Sequence, residues 1–269
     1  MPLQCKGAPR AARPALGEVH VWWAHRDEAG PHLPASLDDA ERARLVRLRR
    51  AADRDRFLVG RALIRLAFGR YLGPSAEGLR ISTAPRPGCS RGAKPWLPGA
   101  GGLEFSLSHS GAWIVLAVGA EGPLGVDIEE RPTAPVSARL MRWALSPRER
   151  EELGEQEGTA SPPHGARDPV GTFLHFWVAK EAVLKATGEG LTVPFHRLTL
   201  TPPGLPLRIR EWQGYPGAGE DYVLCRLETP RDCANGVVAV RRERGEGGSL
   251  AYSTVVLRTA AEASACVHR

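Results

Sequence analysis

FLHFWVAKEAVLKATGEG, residues Phe173 to Gly190, reads as one helix. Thr172 can cap its start, Gly188 can take the left-handed position at its end, and no proline interrupts it. At ~100° per residue, Phe173, Phe176, Trp177, Val183 and Leu184 fall on one side, the pattern of a helix packed on a core. Lys180 falls inside that apolar stripe, where a lysine must snorkel out along its stem or meet a buried anion. Glu181 and Lys185 sit one turn apart on the flank. An ordinary amphipathic helix, with that pair worth roughly 0.3–0.5 kcal/mol at the surface, is one reading. Composition weighs against it. Of 36 basic residues only Lys6, Lys94, Lys180 and Lys185 are lysine, and two of these stand on this helix. Lysine is a compact, strongly hydrated charge with an adjustable pKa, suited to phosphate binding and proton transfer.

Working outward, residues 1–17 carry small residues, prolines and arginines without periodicity, a segment expected to be disordered. Val19 to Trp23 reads as a strand. Leu37 to Ala51, capped by Ser36, and Asp55 to Tyr71, stopped by Gly73-Pro74, read as helices. Residues 84–102 are Pro/Gly-rich loop. Leu103–His109 and Trp113–Val118 form a hairpin around Ser110-Gly111, and Leu124–Glu129 is a further strand. Ser137–Leu145 and Pro147–Leu153 are short helices, the second opened by a Ser146/Glu149 capping box. Residues 154–169 read as a flexible loop. After the long helix come short strands at 198–200, 207–210, 222–227, 237–241 and 250–257. The order predicts an α+β protein in two halves, 18–121 and 122–258, with 259–269 a loose tail.

Cys5, Cys89, Cys225, Cys233 and Cys266 are odd in number, widely spaced and without a CxxC pair, which argues against a disulfide framework or zinc site and fits the cytoplasm. The N-terminus lacks an apolar signal core, and no apolar run approaches the ~18 residues of a membrane span. The net charge of +6 is concentrated: residues 41–70 hold ten arginines against three acids. Such a patch suits a polyanionic small molecule or an acidic protein as well as DNA, and with no nucleic-acid motif beside it no nucleic-acid partner is expected.

Asp127 and Glu129 are two apart on the predicted strand, so their carboxylates leave one face, while Glu130 points the other way. A strand end meeting solvent would carry such acids too. Oxygen donors without a Cys or His pair favour Mg2+ or Mn2+ over Zn2+, and Glu181 would be a third carboxylate if the helix packs beside the strand. Ser108-His109-Ser110-Gly111 sits at a strand-to-turn junction, where hydroxyls, amides and an imidazole can hold a phosphate. A Ser–His hydrolase fits poorly: no G-x-S-x-G elbow is present, and adjacent residues on a strand point to opposite faces.

Three blocks together resemble the surfactin-type (Sfp-like) 4′-phosphopantetheinyl transferases: Phe105 to Gly111 (FSLSHSG), Gly125 to Glu129 (GVDIE) and Trp177 to Lys185 (WVAKEAVLK). Arg56 to Arg61 (RFLVGR) and Ala93-Lys94-Pro95 are weaker matches, and the order holds over roughly residues 37–200. The chain departs at Ala93, at Ser106 and in the long loop 154–169. The resemblance implies two similar α+β subdomains in a pseudo-twofold arrangement with the active site at their interface. It implies coenzyme A as donor, and transfer of its phosphopantetheine arm to a serine of an acidic apo acyl or peptidyl carrier protein with release of 3′,5′-ADP. It also implies a monomer needing Mg2+ or Mn2+. The matching metal ligands are Asp127, Glu129 and Glu181. Arg56, Lys94, Ser108 and His109 would hold the phosphates, helped by Arg49 or Arg50. Glu181 would accept the serine proton and Lys185 would neutralise the leaving phosphate. Lys180 would support the site or contact coenzyme A. A non-catalytic anion- or nucleic-acid-binding module, or a metal-dependent phosphatase, are the alternatives.

Overall fold

The computed structural model describes residues 11–73, 79–84, 94–120, 122–154, 168–188, 193–230, 235–242 and 256–259. The first sheet is built from β1 (Glu18–His25), β2 (Glu104–Ser110), β3 (Trp113–Gly119) and β9 (Val256–Thr259), in the order β2-β3-β1-β9. β1 and β2 each pair antiparallel with β3. The second sheet has β4 (Leu124–Glu129) beside β8 (Asn235–Arg241) and then β7 (Tyr222–Arg226). A ribbon of β5 (Leu198–Leu200) and β6 (Ile209–Trp212) completes the strands. β9 belongs to the N-terminal sheet: it runs parallel to β1, pairing Val256 with Glu18 and Thr259 with Val21. The boundary expected at 258 is therefore crossed by the chain. The rest of the strand expected from 250 lies outside the described residues.

The helices are α1 (Asp39–Arg47), α2 (Ala51–Leu72), α3 (Ala138–Ala144), α4 (Pro147–Glu152), α5 (Pro169–Thr187) and α6 (Ala218–Asp221). Alternation along the strands sorts their side chains into layers. Trp22, Ala24, Ile114, Leu116 and Val118 pack with Leu63, Ile64 and Phe68 of α2. Val19, Val21, Val115 and Ala117, from the opposite face, meet Leu124, Val126, Ile128, Val238 and Val240 of the second sheet. The far face of that sheet, through Val237 and Ala239, packs on α5. The layers run helix, sheet, sheet, helix, with α2 and α5 outermost.

Several element ends differ from the sequence reading for local reasons. Leu33–Ser36 is a 3-10 turn, and Asp38 with Glu41 forms the capping box that starts α1. α5 begins at Pro169, whose missing N–H is harmless in a first turn, and Asp168 caps it by accepting from the Gly171 N–H at 3.0 Å. Gly188 ends it in the left-handed conformation, φ 75°. Within the segment expected to be disordered, Ala11 is buried and donates to the Arg70 carbonyl at 3.1 Å; residues 1–10 lie outside the described residues. Residues 85–93 of the first loop, 155–167 of the second and the tail from 260 do so too. Among the described residues no helix is long and apolar enough to cross a membrane.

Candidate active site

The site begins with a close approach of backbones. A β-carbon on Gly125 would lie 1.9 Å from the Ala182 carbonyl oxygen and 2.6 Å from the Ala186 amide nitrogen. Glycine on β4 facing alanines one turn apart on α5 lets strand and helix touch directly. The same strand face then runs along the helix. Gly125 meets Ala182 and Ala186, Asp127 meets Lys185, and Glu129 accepts a hydrogen bond from Trp177. Period two on the strand and 3.6 on the helix place these pairs together.

β2, at the edge of the first sheet, meets β4, at the edge of the second, through side chains. Ser106 Oγ accepts from the Val126 N–H at 3.0 Å. Ser108 Oγ donates to Asp127 Oδ1 at 2.7 Å, and Ser110 Oγ donates to Glu129 Oε2 at 2.7 Å. Lys185 Nζ donates to Asp127 Oδ1 at 2.6 Å, Ser108 Oγ at 3.0 Å and the Val126 carbonyl at 3.1 Å. Asp127 is buried, and its Oδ2 has no hydrogen-bond partner. The turn beyond Ser110 is held by Glu130, which accepts from the Ala112 N–H at 3.0 Å. Gly111 holds a left-handed φ of 53°, which favours glycine at this turn, and a β-carbon there would displace the Glu130 carboxylate.

These residues line a cleft of about 790 Å³ between the two sheets and their helices. Asp127, Glu129, Glu181, Lys185, Ser108 and His109 line it together with Arg44, Arg56, Arg61, Phe57 and Lys94. Arg56 donates to the Gly111 carbonyl and to Asp53, both at 2.5 Å, so its guanidinium is braced at the hairpin turn. Lys94 donates to the Leu124 carbonyl at 2.6 Å. Arg61 and Arg44 lie over the Phe57 ring at 5.0 and 5.7 Å. Burial pushes the Glu181 carboxyl up to about 7, with Asp127 and Glu129 adding and Lys185 opposing. Burial likewise raises Glu129, against the pull of Ser110. Desolvation by the cleft walls, then Arg56 and Lys185, hold the His109 pKa below its ordinary value.

The structure therefore brings Arg56, Lys94, Ser108, His109, Asp127, Glu129, Glu181 and Lys185 to one cleft, and leaves Lys180 out. Lys180 is fully buried on the other side of α5. It donates to Glu149 Oε2 at 2.5 Å, the Ala144 carbonyl at 2.8 Å and the Phe195 carbonyl at 3.1 Å. With all three N–H groups engaged away from the cleft, Lys180 does not fit the contact with coenzyme A expected as one of its two roles, and supports α5 from behind instead. Arg49 and Arg50 are exposed outside the cleft, where Arg44 and Arg61 stand instead. Sequence reasoning passed over Ser106 and Trp177 as site residues, and read Ser110 as a phosphate-holding hydroxyl where the structure has it donate to Glu129. The alternation of serines at 106, 108 and 110 was the available signal.

Carboxylates and cations that line one cleft of an α+β scaffold suit an enzyme of phosphoryl-group transfer. Residues 123–222 match the family model of the 4′-phosphopantetheinyl transferase superfamily. The chain is 33% identical over 203 residues to a phosphopantetheinyl transferase of Thraustochytrium sp., covering 72% of this chain and 67% of that one. It is 35% identical over 181 residues to the 4′-phosphopantetheinyl transferase HetI of Nostoc sp., covering 65% and 70%. With a 4′-phosphopantetheinyl transferase of Bacillus subtilis it shares 31% over 162 residues, covering 60% and 65%. The chain belongs to the 4′-phosphopantetheinyl transferase superfamily.

Proposed function

We propose that this enzyme transfers the 4′-phosphopantetheine arm of coenzyme A to a serine hydroxyl of an apo carrier protein, releasing 3′,5′-ADP. The observation that carries the reading is that Asp127, Glu129 and Glu181 line one cleft with the cations Arg44, Arg56, Arg61, Lys94 and Lys185. The serine oxygen forms a bond to the β-phosphorus, the bridging P–O bond to the α-phosphate breaks, and the serine proton passes to Glu181. A carboxylate in the cleft can serve as the general base for that proton. Arg56, Lys94 and His109 face the cleft as donors for the phosphates. Lys185, whose three N–H groups go to Asp127, Ser108 and the Val126 carbonyl, acts on the charge that develops on the leaving group through the field of its ammonium rather than by a direct hydrogen bond.

The donor set fits a hard divalent cation. Asp127, Glu129 and Glu181 supply oxygen only, and the Asp127 Oδ2 is buried without a hydrogen-bond partner. Among the described residues no three acidic, His or Cys side chains already stand close enough to enclose an ion. The three carboxylates would hold Mg2+ or Mn2+, with substrate oxygens and water completing the shell. When bound, the cation neutralises charge on the diphosphate. We further propose that the enzyme works as a cytoplasmic monomer and that its partner is an acidic carrier of a fatty-acid, polyketide or peptide synthase.

The test is a mass spectrum of apo carrier protein after incubation with the enzyme, coenzyme A and Mg2+. One phosphopantetheine should be gained on the serine, and EDTA should abolish the gain. No gain on fatty-acid, polyketide and peptide-synthetase carriers would overturn the reading.

A further inference from the structure

Ser106, Ser108 and Ser110 alternate along β2, so they share a face, and each reaches β4 in the other sheet. The family resemblance assigned only Ser108 a role, as a phosphate ligand. The geometry gives it different work. Its hydroxyl proton goes to Asp127 Oδ1, its oxygen receives an N–H of Lys185, and its side chain is buried. A hydroxyl engaged on both sides has little left for a phosphate.

Asp127 shows what that engagement achieves. Ser108 and Lys185 both donate to Oδ1, at 2.7 and 2.6 Å, while Oδ2 is buried with no hydrogen-bond partner. An orphaned carboxylate oxygen in a protein interior is unfavourable, and one that persists in a fold is a place a ligand completes. Ser110 acts in parallel: it donates to Glu129 Oε2 at 2.7 Å while accepting from the Glu130 N–H at 3.0 Å, which ties the carboxylate to the end of β4.

We propose that Ser108 and Ser110 are positioning residues. From the opposing lobe they lock the carboxylates of Asp127 and Glu129, so that Asp127 Oδ2 is presented to a divalent cation. The metal site is then a composite: β4 and α5 supply its carboxylates, and β2 of the first sheet sets their orientation. The inference rests on the reading of those carboxylates as cation ligands.

The experiment is a Mn2+ titration of the full chain without coenzyme A, following the signal of free Mn2+ by electron paramagnetic resonance. Coenzyme A binding is measured separately by calorimetry in EDTA. Ser108→Ala and Ser110→Ala should each weaken Mn2+ binding about 10–100-fold, the range for loss of a residue that orients a metal ligand. Ser110→Thr, which keeps the hydroxyl on a β-branched residue suited to a strand, should restore affinity to within ~3-fold. Coenzyme A affinity in EDTA should stay within ~3-fold of wild type in all of them. Circular dichroism and a thermal melt establish that each variant is folded. Ser110, only partly buried, keeps the test open if Ser108→Ala is not. Unchanged Mn2+ affinity in both alanine variants overturns the proposal. So does a Ser108→Ala variant that loses coenzyme A affinity in EDTA while binding Mn2+ normally, because that is the behaviour of a phosphate ligand. If the alanine variants lose Mn2+ affinity while wild type modifies no carrier, the positioning role stands and the transferase reading falls. If wild type modifies carriers but binds no Mn2+, the positioning role falls and the transferase reading stands.

Discussion

Lys180 Nζ and Glu149 Oε2 lie 2.5 Å apart, and neither side chain is reached by solvent. Glu149 also accepts from the Ser146 N–H at 2.8 Å and the Leu200 N–H at 2.9 Å. The pair therefore binds α4, α5 and β5 together with each of its polar contacts made. Lys180→Met would leave a buried carboxylate without its cation, a change that costs about 3–5 kcal/mol. Urea denaturation should show that loss, while the folded fraction keeps its coenzyme A affinity by calorimetry. A variant of normal stability that binds coenzyme A poorly would return Lys180 to the cleft.

Gly125→Ala should be as damaging by another route. The added carbon meets backbone atoms of α5, and no rotamer can relieve that. The helix must shift away from β4, at a cost of roughly 1–3 kcal/mol for the overpacking itself. Lys185 then leaves Asp127, a contact made at 2.6 Å. Carrier modification should fall by about 10² or more, since misplacement by an ångström is enough for that. A folded Gly125→Ala enzyme within a few-fold of wild type would show that this contact does not set the site.

Glu181→Gln separates catalysis from stability. Loss of the base should lower the rate by ~10² or more. In the folded protein the carboxyl has been pushed up to about 7 from an ordinary 4.5. Between those values the folded chain holds a proton that the unfolded chain has released, so this group makes stability fall as pH rises. The penalty is complete above about 7. In EDTA, then, Glu181→Gln should melt higher than wild type at pH 8, and the gap should close as pH falls through that window. Equal melting temperatures at both ends would remove the electrostatic account.

His175 runs the other way. Its Nε2–H donates to the Thr201 carbonyl at 2.9 Å and its Nδ1 accepts from Arg226 at 2.7 Å, an arrangement that suits the neutral ring. Burial, with Arg226 adding, pushes its pKa down to about 4. From the ordinary 6.5 down to that value the unfolded chain takes up a proton that the folded chain refuses, so acid weakens the fold. The full effect is of order 3 kcal/mol. His175→Gln should flatten the fall in urea midpoint between neutral and acidic pH. An unaltered slope would place the acid sensitivity elsewhere.

The parts of this site that were legible in the sequence are those set by local periodicity. Asp127 and Glu129 share a face because strands alternate, and Gly188 ends α5 because a left-handed residue suits that place. The α+β class followed from the order of the elements. Lys180 shows where local reading stops. Its place in the apolar stripe demanded either an escape to solvent or a buried anion, and the capping role of Glu149 was legible too. That the two are one pair, 31 residues apart, depends on tertiary packing. The serine ladder is similar: its alternation is visible, but its partner strand lies in another sheet. Pairing of β9 with β1 joins the two ends of the chain, and no periodicity encodes that.

Two groups stand out among the arginines of residues 41–70, and the contrast predicts how the enzyme meets its carrier. Arg61 and Arg65 are held by Glu41, and Arg56 by Asp53 and the Gly111 carbonyl, so these belong to the fold or the cleft. Arg47, Arg49, Arg50 and Arg54 are exposed around the end of α1 and the start of α2, beside Val46, which is 83% exposed. Arg47 and Arg50 do not line the cleft. Charges exposed in this way act on an approaching acidic protein over about a Debye length, ~10 Å at 0.1 M salt. Their contribution is to the encounter rate more than to the bound state. Arg47→Glu with Arg50→Glu should therefore lower kcat/KM for an acidic carrier several-fold at low salt, with the difference shrinking as salt screens it. KM for coenzyme A should stay near wild type. A double variant equally impaired at low and high salt would mean that these arginines touch the carrier directly. One with no defect at either would place docking on a different face.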